Sequence, residues 1–150
     1  MIKRLFAFPC QLTEGGKSDE AILQFNCALS LRPPPHPYRH KTLAHYANAL
    51  SKRFGRTGQM QDLEQGILLQ REALSLRPQD HPDRAKSLDG LANGLWRRFE
   101  KKDDHGDLEE CIVFYKEAVA LFPPGHPSRA VSLANMETAL SRQRSDPGEN

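Results

Sequence analysis

The tetrapeptide His36-Pro37-Tyr38-Arg39 returns as His81-Pro82-Asp83-Arg84 and again as His126-Pro127-Ser128-Arg129, each copy 45 residues after the last. The register holds without a gap through Leu43, Leu88 and Leu133, through Leu50, Leu95 and Leu140, and through Asn48 and Asn93. Phe54 and Phe99 obey it, as do Asp62-Leu63-Glu64 with Asp107-Leu108-Glu109, Ile67 with Ile112, Glu72-Ala73 with Glu117-Ala118, and Pro78 with Pro123. A fixed period in the range of roughly 20–50 residues marks stacked supersecondary units, none of which can bury its apolar face alone. A chain of 150 residues holds about three such units.

Each unit reads as two helices. The first follows the His-Pro corner, where proline suits the first helical position because its missing N–H would have no intrahelical partner there. Asp80 or His81 is the candidate cap. From 83 to about 99, Leu88, Leu91, Ala92, Leu95 and Phe99 keep the three-and-four spacing of an amphipathic helix. The charged stretch 100–106 ends in glycine and reads as a loop. The second helix is expected to open at Asp107 as its N-cap, with Glu109 and Glu110 in the electropositive first turn. It carries Leu108, Cys111, Ile112, Tyr115, Ala118, Val119 and Leu121, and stops before Pro123-Pro124-Gly125. The same grammar predicts helices over about 38–54, 62–77 and 128–143. A further second-type helix is expected over about 18–32, because Ala21, Ile22, Ala28, Leu29 and Leu31 match Gly66, Ile67, Ala73, Leu74 and Leu76.

The pattern Leu91-Ala92-x-x-Leu95, then Cys111-x-x-x-Tyr115-x-x-Ala118-x-x-x-x-Pro123, resembles the tetratricopeptide repeat consensus. Ala21, Gly66 and Cys111 fill the small-residue position at which two helices approach closely. The usual period is about 34, and the excess here sits in about seven residues between the helices and about four at the His-Pro corner. In this longer form the chain is similar to the kinesin light chain-like repeats, and closer still to arrays in large fungal proteins that end in a caspase-like protease domain. The resemblance spans roughly 18–143 and implies an all-α fold, a right-handed alpha-alpha superhelix of about six helices and no strands. The implied organisation is a segment 1–17, poorly ordered or a short helix, then a repeat domain 18–144 and a disordered tail 145–150. The repeat domain divides into units 18–35, 36–80, 81–125 and a partial or capping unit 126–144. In the last unit Glu137 replaces Ala47 and Ala92, and Arg144 replaces Phe54 and Phe99, as a solvating terminal cap requires. Helix 18–32 has no clear upstream partner, which would leave Phe25 and Leu29 partly exposed. The chain therefore reads as the last repeats of a longer array or a remnant of one.

In this family the first-type helices line the concave face. Carried over position by position, the resemblance implies groove residues Lys86, Asp89, Asn93, Trp96 and Arg97 in the middle unit. Upstream it implies Lys41, Ala44, Asn48, Ser51 and Lys52, and downstream Val131, Ala134, Thr138, Ser141 and Arg142. Asparagine offers both a donor and an acceptor, so Asn48 and Asn93 fit two roles: bonding the backbone of an extended peptide, or tying neighbouring helices together. Lys41, Lys52, Lys86, Arg97 and Arg142 would form a positive rim that suits an acidic segment or a C-terminal carboxylate. Trp96 has small counterparts in Ser51 and Ser141, so it is either a groove anchor or a filler against the next helix.

Other classes fit less well. A net charge of +2 with interleaved signs makes no large single-sign field for nucleic acid or a membrane surface. Single-stranded nucleic acid along Arg53, Arg56, Arg97, Arg98, Lys101 and Lys102 lacks stacking aromatics, which are 7% of the chain. Cys10, Cys27 and Cys111 are odd in number and widely spaced, as reduced intracellular thiols are. Leu5-Phe6-Ala7-Phe8 is too short for a signal peptide, and nothing approaches a membrane span, so a cytoplasmic protein is expected. Stacked helices lie about 10 Å apart whereas zinc needs its ligands about 2 Å from one point. His36, His81 and His126 therefore form a ladder of helix-start caps rather than a metal site, with Arg39, Arg84 and Arg129 pairing to acids of an adjacent helix. Asp62, Glu64, Asp107 and Glu109 sit at helix starts, where the macrodipole accounts for them, and Cys111 reads as a buried, inert thiol. No enzyme activity, metal or cofactor is expected. The expected function is a non-catalytic interaction scaffold that binds an extended peptide or partner helix. The alternative is a structural or regulatory segment that packs on another domain or self-associates through its N-terminal end.

Overall fold

The computed structural model describes residues 16–146. It contains α1 (Gly16–Ser30), α2 (Arg39–Thr57), α3 (Met60–Ser75), α4 (Arg84–Lys102), α5 (His105–Leu121) and α6 (Pro127–Ser145). No strand occurs among the described residues, so the all-α helical-repeat fold is present. The expected segment 1–17 lies outside the described residues apart from Gly16 and Lys17, which begin α1. Of the expected tail 145–150, Ser145 ends α6 and Asp146 is its C-cap, and the rest lies outside the described residues.

Two compact units divide between Leu76 and Arg77, placing α1, α2 and α3 in the first and α4, α5 and α6 in the second. The division precedes the expected boundary at 80/81 because the corner folds onto the helix that follows it. Arg77 is buried and donates to the Ser87 hydroxyl at 2.7 Å and to the Asp83 carbonyl at 3.3 Å, while Arg84 donates to the Arg77 carbonyl at 2.8 Å. The first unit does the same: Arg32 donates to the Thr42 hydroxyl at 2.7 Å, and Arg39 to the Arg32 carbonyl at 2.9 Å. Burial pulls the Arg77 pKa below the ordinary arginine value.

At every corner the histidine Nδ1 accepts a backbone N–H two residues on: His36 from Tyr38 at 3.2 Å, His81 from Asp83 at 3.0 Å and His126 from Ser128 at 3.1 Å. Only His126 caps its helix in this way: the N-caps of α2 and α4 are Tyr38 and Asp83, so the bonds of His36 and His81 hold the turn just ahead of the helix and neither histidine nor Asp80 caps α4. The corner arginines reach across to the second helix of the unit, Arg39 to Glu72 at 2.6 Å and Arg84 to Glu117 at 3.0 Å. Arg129 instead donates to the Val119 carbonyl at 3.2 Å, so it bonds backbone rather than an acid.

The stretch 100–106 is not a loop. α4 continues to Lys102 and α5 begins at His105, so only Asp103 and Asp104 lie between them. The excess expected between the helices is thus helical, shared by the end of α4 and the start of α5. Asp103 takes a left-handed φ of 55° and closes α4 by donating its N–H to the Phe99 carbonyl at 2.7 Å. Gly58, with φ of 70°, does this for α2 at 2.8 Å from the Phe54 carbonyl. Glu100, Lys101 and Lys102 are polar because the end of α4 is exposed, which imitates a loop in the sequence.

The cap of α5 is Asp104, whose side chain accepts the Gly106 N–H at 2.9 Å, and not Asp107. Asp107 is buried in the first turn and accepts two hydrogen bonds from Arg98, at 2.7 and 2.6 Å. Asp62 is held in the same way by Arg53, at 2.7 Å for both bonds. Arg53 also reaches Asp19 of α1 at 3.0 Å, and these two acids hold its pKa above the ordinary value.

Ile22, Leu43, Tyr46, Ala47, Leu50, Leu69 and Ala73 form the core of the first unit, with Phe25 and Leu29 packed on it and only partly buried. Leu88, Leu91, Leu95, Leu108, Cys111, Tyr115 and Ala118 are buried in the second. Glu137 and Arg144 are exposed at the register positions where α2 and α4 carry buried Ala and Phe.

Two consequences can be measured. A Cβ on Gly66 would stand 3.6 Å from the Ala47 carbonyl oxygen and 3.9 Å from Leu50 Cβ, which is ordinary contact. Gly66→Ala should therefore stabilise the protein by about 0.5–1 kcal/mol through helix propensity, read as a higher urea midpoint. Asp107→Ala strips a partly buried guanidinium of its partner and should cost about 1–3 kcal/mol, less than for a fully buried pair because the Arg98 side chain is 25% exposed.

Candidate functional site

Within the second unit, α4 and α6 face each other across an open groove of about 730 Å3. Trp96 lines it from α4, and Ala134, Glu137, Thr138, Ser141, Arg142 and Ser145 line it from α6. Trp96, Arg142, Ala134, Thr138 and Ser141 thus meet in one place. Glu137 and Ser145 were not expected there.

The Trp96 ring has two contacts of different kinds. It is half-buried and tilts against Phe99 at 5.6 Å between centroids, while it also forms the α4 wall of the groove. Phe99 is three residues on along α4 itself, so this contact is not packing against the next helix. The Arg142 guanidinium lies 5.8 Å from the Phe99 ring centroid, a separation at which a cation is attracted to an aromatic face. Its nearest acids are Asp146 at 3.8 Å and Asp103 at 4.0 Å. With Glu137 exposed on the same wall, the groove carries both signs of charge.

Asp89 and Asn93 belong to a hydrogen-bond network that joins all three helices of this unit. Asp89 accepts from the Ser132 hydroxyl of α6 at 2.6 Å and from Asn93 Nδ2 at 3.3 Å. Asn93 Oδ1 in turn accepts from the Tyr115 hydroxyl of α5 at 2.6 Å and from Asn135 Nδ2 of α6 at 3.3 Å. Asn93 therefore ties helices together in this fold. Burial raises the Asp89 pKa above the ordinary carboxylate value, an effect that the bonds from Ser132 and Asn93 oppose. Burial also raises the Tyr115 pKa, so this phenol stays protonated and keeps its role as a donor. Tyr115, Ser132 and Asn135 were missed as polar partners. The available signal was Asp89 itself, an acid where the preceding unit has Ala44.

The other expected groove residues are dispersed. Lys41, Asn48 and Lys52 lie on α2 in the first unit; Asn48 and Lys52 are exposed, and the Lys41 ammonium stands 5.6 Å from the Tyr38 ring centroid. Lys86 is exposed and pairs with Asp83 at 3.0 Å, and Arg97 is half-buried. Cys111 is fully buried, and burial pushes its thiol up to about 12, so its nucleophilic thiolate form is suppressed.

A family model of the tetratricopeptide repeat matches residues 84–128. Over this segment the chain is similar to a tetratricopeptide repeat. The segment covers α4, α5 and the corner into α6, and so supplies Trp96 and the α4 and α5 members of the network. No curated protein matches the chain. Tetratricopeptide repeats generally mediate protein–protein interactions. No helix among the described residues is long and apolar enough to cross a membrane.

The network makes two predictions. Asn93→Ala removes the acceptor for both Tyr115 and Asn135 and should lower stability by about 1–3 kcal/mol in chemical unfolding. The folded state holds the Asp89 proton to a higher pH than the unfolded chain does. Its contribution is therefore fully present below the ordinary carboxylate value of 3.8 and is lost as pH rises through the raised value. Unfolding free energies of wild type and Asp89→Asn, measured across the acidic range, should diverge with that sign.

Proposed function

We propose that this chain is a non-catalytic, cytoplasmic protein-interaction module whose second unit takes an extended peptide or a partner's helix in the groove between α4 and α6. The observation that supports this reading is the meeting of one large aromatic, Trp96, and one guanidinium, Arg142, on opposite walls of a single open groove. An aromatic gives a partner side chain apolar contact area at low entropic cost, and such residues carry much of the energy of protein interfaces. Arg142 favours a carboxylate flanking that anchor, while Thr138 and Ser141 offer hydroxyls to a peptide backbone. The matching ligand is an apolar side chain with a neighbouring acid. Asn93 supports the groove from inside in this reading rather than touching the ligand. The 45-residue period supports assignment to the long-period, kinesin light chain-like type of tetratricopeptide repeat, the type also found in the fungal arrays.

A second reading has its own support. Leu23, Leu68 and Val113 occupy one register position of α1, α3 and α5 and are 69%, 67% and 59% exposed. Apolar residues repeated outward in this way suit a structural segment that packs on another domain or on another copy of itself.

The experiment is affinity capture with mass spectrometry. It compares wild type, Trp96→Ala/Arg142→Ala and Leu68→Ser/Val113→Ser at matched helical circular dichroism. Groove binding predicts a partner that loses at least about tenfold in affinity, the loss of one interface hot spot, in the first variant alone. Loss in the second variant alone would support the packing surface and reject the groove.

A further inference from the structure

The corner histidines each bond their own backbone, but a different histidine meets two carboxylates in the second unit. Asp103, His105 and Asp146 offer one ligand atom each, and these atoms all lie within 4.8 Å of one another. His105 Nε2 is 3.8 Å from Asp146 Oδ2. We propose that these three residues form a binding site for a divalent transition-metal ion of the zinc class.

The donor set is the first argument. One imidazole and two carboxylates suit a borderline ion such as zinc or cobalt(II), whereas magnesium and calcium take oxygen donors. Donors bound about 2.1 Å from a tetrahedral zinc lie roughly 3.4 Å apart, so the present separations need only a small closure. The three side chains are 70%, 46% and 40% exposed, in chain order, so rotation towards a common centre gives up solvent, a tilted contact of His105 with Phe99 at 5.8 Å between centroids and the long contacts to Arg142.

The repeat is the second argument. One period earlier, the positions of Asp103 and His105 hold Gly58 and Met60, and that of Asp146 holds Lys101. All three donors break the repeat pattern, and they converge from the α4–α5 turn, the first residue of α5 and the C-cap of α6. The backbone favours a cation at this point as well. The C-termini of α4 and α6 both end here with their partial negative charge, while the Asp104 side chain caps the start of α5.

The competing explanation is an ion-pair cluster around Arg142. Its distances of 4.0 Å to Asp103 and 3.8 Å to Asp146 exceed those of a hydrogen bond, so neither acid is held tightly by it. His105 stands no closer to Asp146 than Arg142 does, at 3.8 Å, so it too is outside hydrogen-bond reach. A metal site uses all three donors, and it gains from the removal of Arg142, which repels a bound cation. The site does not rest on the peptide-binding reading, although Arg142 adjoins both.

The test uses the full chain, free of any histidine tag and stripped with a chelator, near neutral pH. Zinc is titrated by calorimetry, and cobalt(II) is followed by its visible absorption. One equivalent should bind with submillimolar affinity, with a cobalt spectrum that lacks thiolate charge transfer. Zinc at a hundredfold excess over its Kd should raise Tm by roughly 5–10 °C. His105→Ala and Asp146→Asn should each weaken binding at least about tenfold, the range for loss of a ligand or its close support, and Arg142→Ala should preserve or strengthen it. Asp146→Asn touches no core residue and keeps the test open if His105→Ala disturbs the fold. Absence of uptake, uptake unchanged in both ligand variants, or a thiolate-bearing cobalt spectrum would overturn the site.

Discussion

In each unit an arginine of the first helix clamps an aspartate nine residues later, in the first turn of the next helix: Arg53 to Asp62 and Arg98 to Asp107. The rest of the packing depends on this clamp. Between the long first helix and the second there are only two residues, Gly58 and Gln59 in one unit and Asp103 and Asp104 in the other. Such a turn brings the first turn of the second helix under the end of the first, where Asp62 and Asp107 are almost fully buried. A buried carboxylate there is tolerable only when a guanidinium neutralises it and fills its lone pairs. The two parallel bonds also fix rotation and translation of one helix against the other. That register places Gly66 against Ala47 and Leu50, and thereby allows close approach of α2 and α3.

A second set of arginines closes the other end of each unit. Arg39 and Arg84 bond at once to a carbonyl of the preceding corner and to Glu72 or Glu117 of the second helix. The Arg-Asp clamp at the turn and this corner bracket each helix pair at both ends. The apolar core between them can then be built from small and branched side chains without losing its alignment.

The helices and the pairing of α2 with α3 and α4 with α5 were legible because they rest on local periodicity, which a 45-residue repeat displays more than once. The turn was not legible. A charged helix end and a charged loop have the same composition, and the residue that reverses the chain is glycine in one unit but Asp103 in the other. Asp107 looks like a cap by residue type, yet its role depends on Arg98, which is visible only once the helices are antiparallel. The candidate groove was legible in part. Trp96 and Arg142 could be placed by register, whereas the Asp89–Ser132 bond joins residues 43 apart on helices that are not consecutive. A one-dimensional register assigns faces but not which polar side chains on two facing helices will touch, so Asn93 remained open between an outward and an inward role. The same limit hid Asp103, His105 and Asp146.

The two units also differ at register positions that face their cores. The first has Ala44 and Gln70 at the positions of Asp89 and Tyr115, so it has no counterpart of the second unit's network. That network bonds α6 through Ser132 and Asn135, in the first half of the helix. The groove wall runs on from Ala134 to Ser145, beyond these anchors. The beginning of α6 is thus fixed by buried hydrogen bonds and Ala139 by burial in the core, while its last turn has longer ionic contacts to Asp103 and His105 and the Arg142 guanidinium over the Phe99 ring. In the proposed groove-binding role, a ligand would meet a wall held by hydrogen bonds at one end and by ionic and aromatic contacts at the other. On the proposed reading, specificity would belong to Trp96 and the groove hydroxyls, and tuning to the charges at the end of α6.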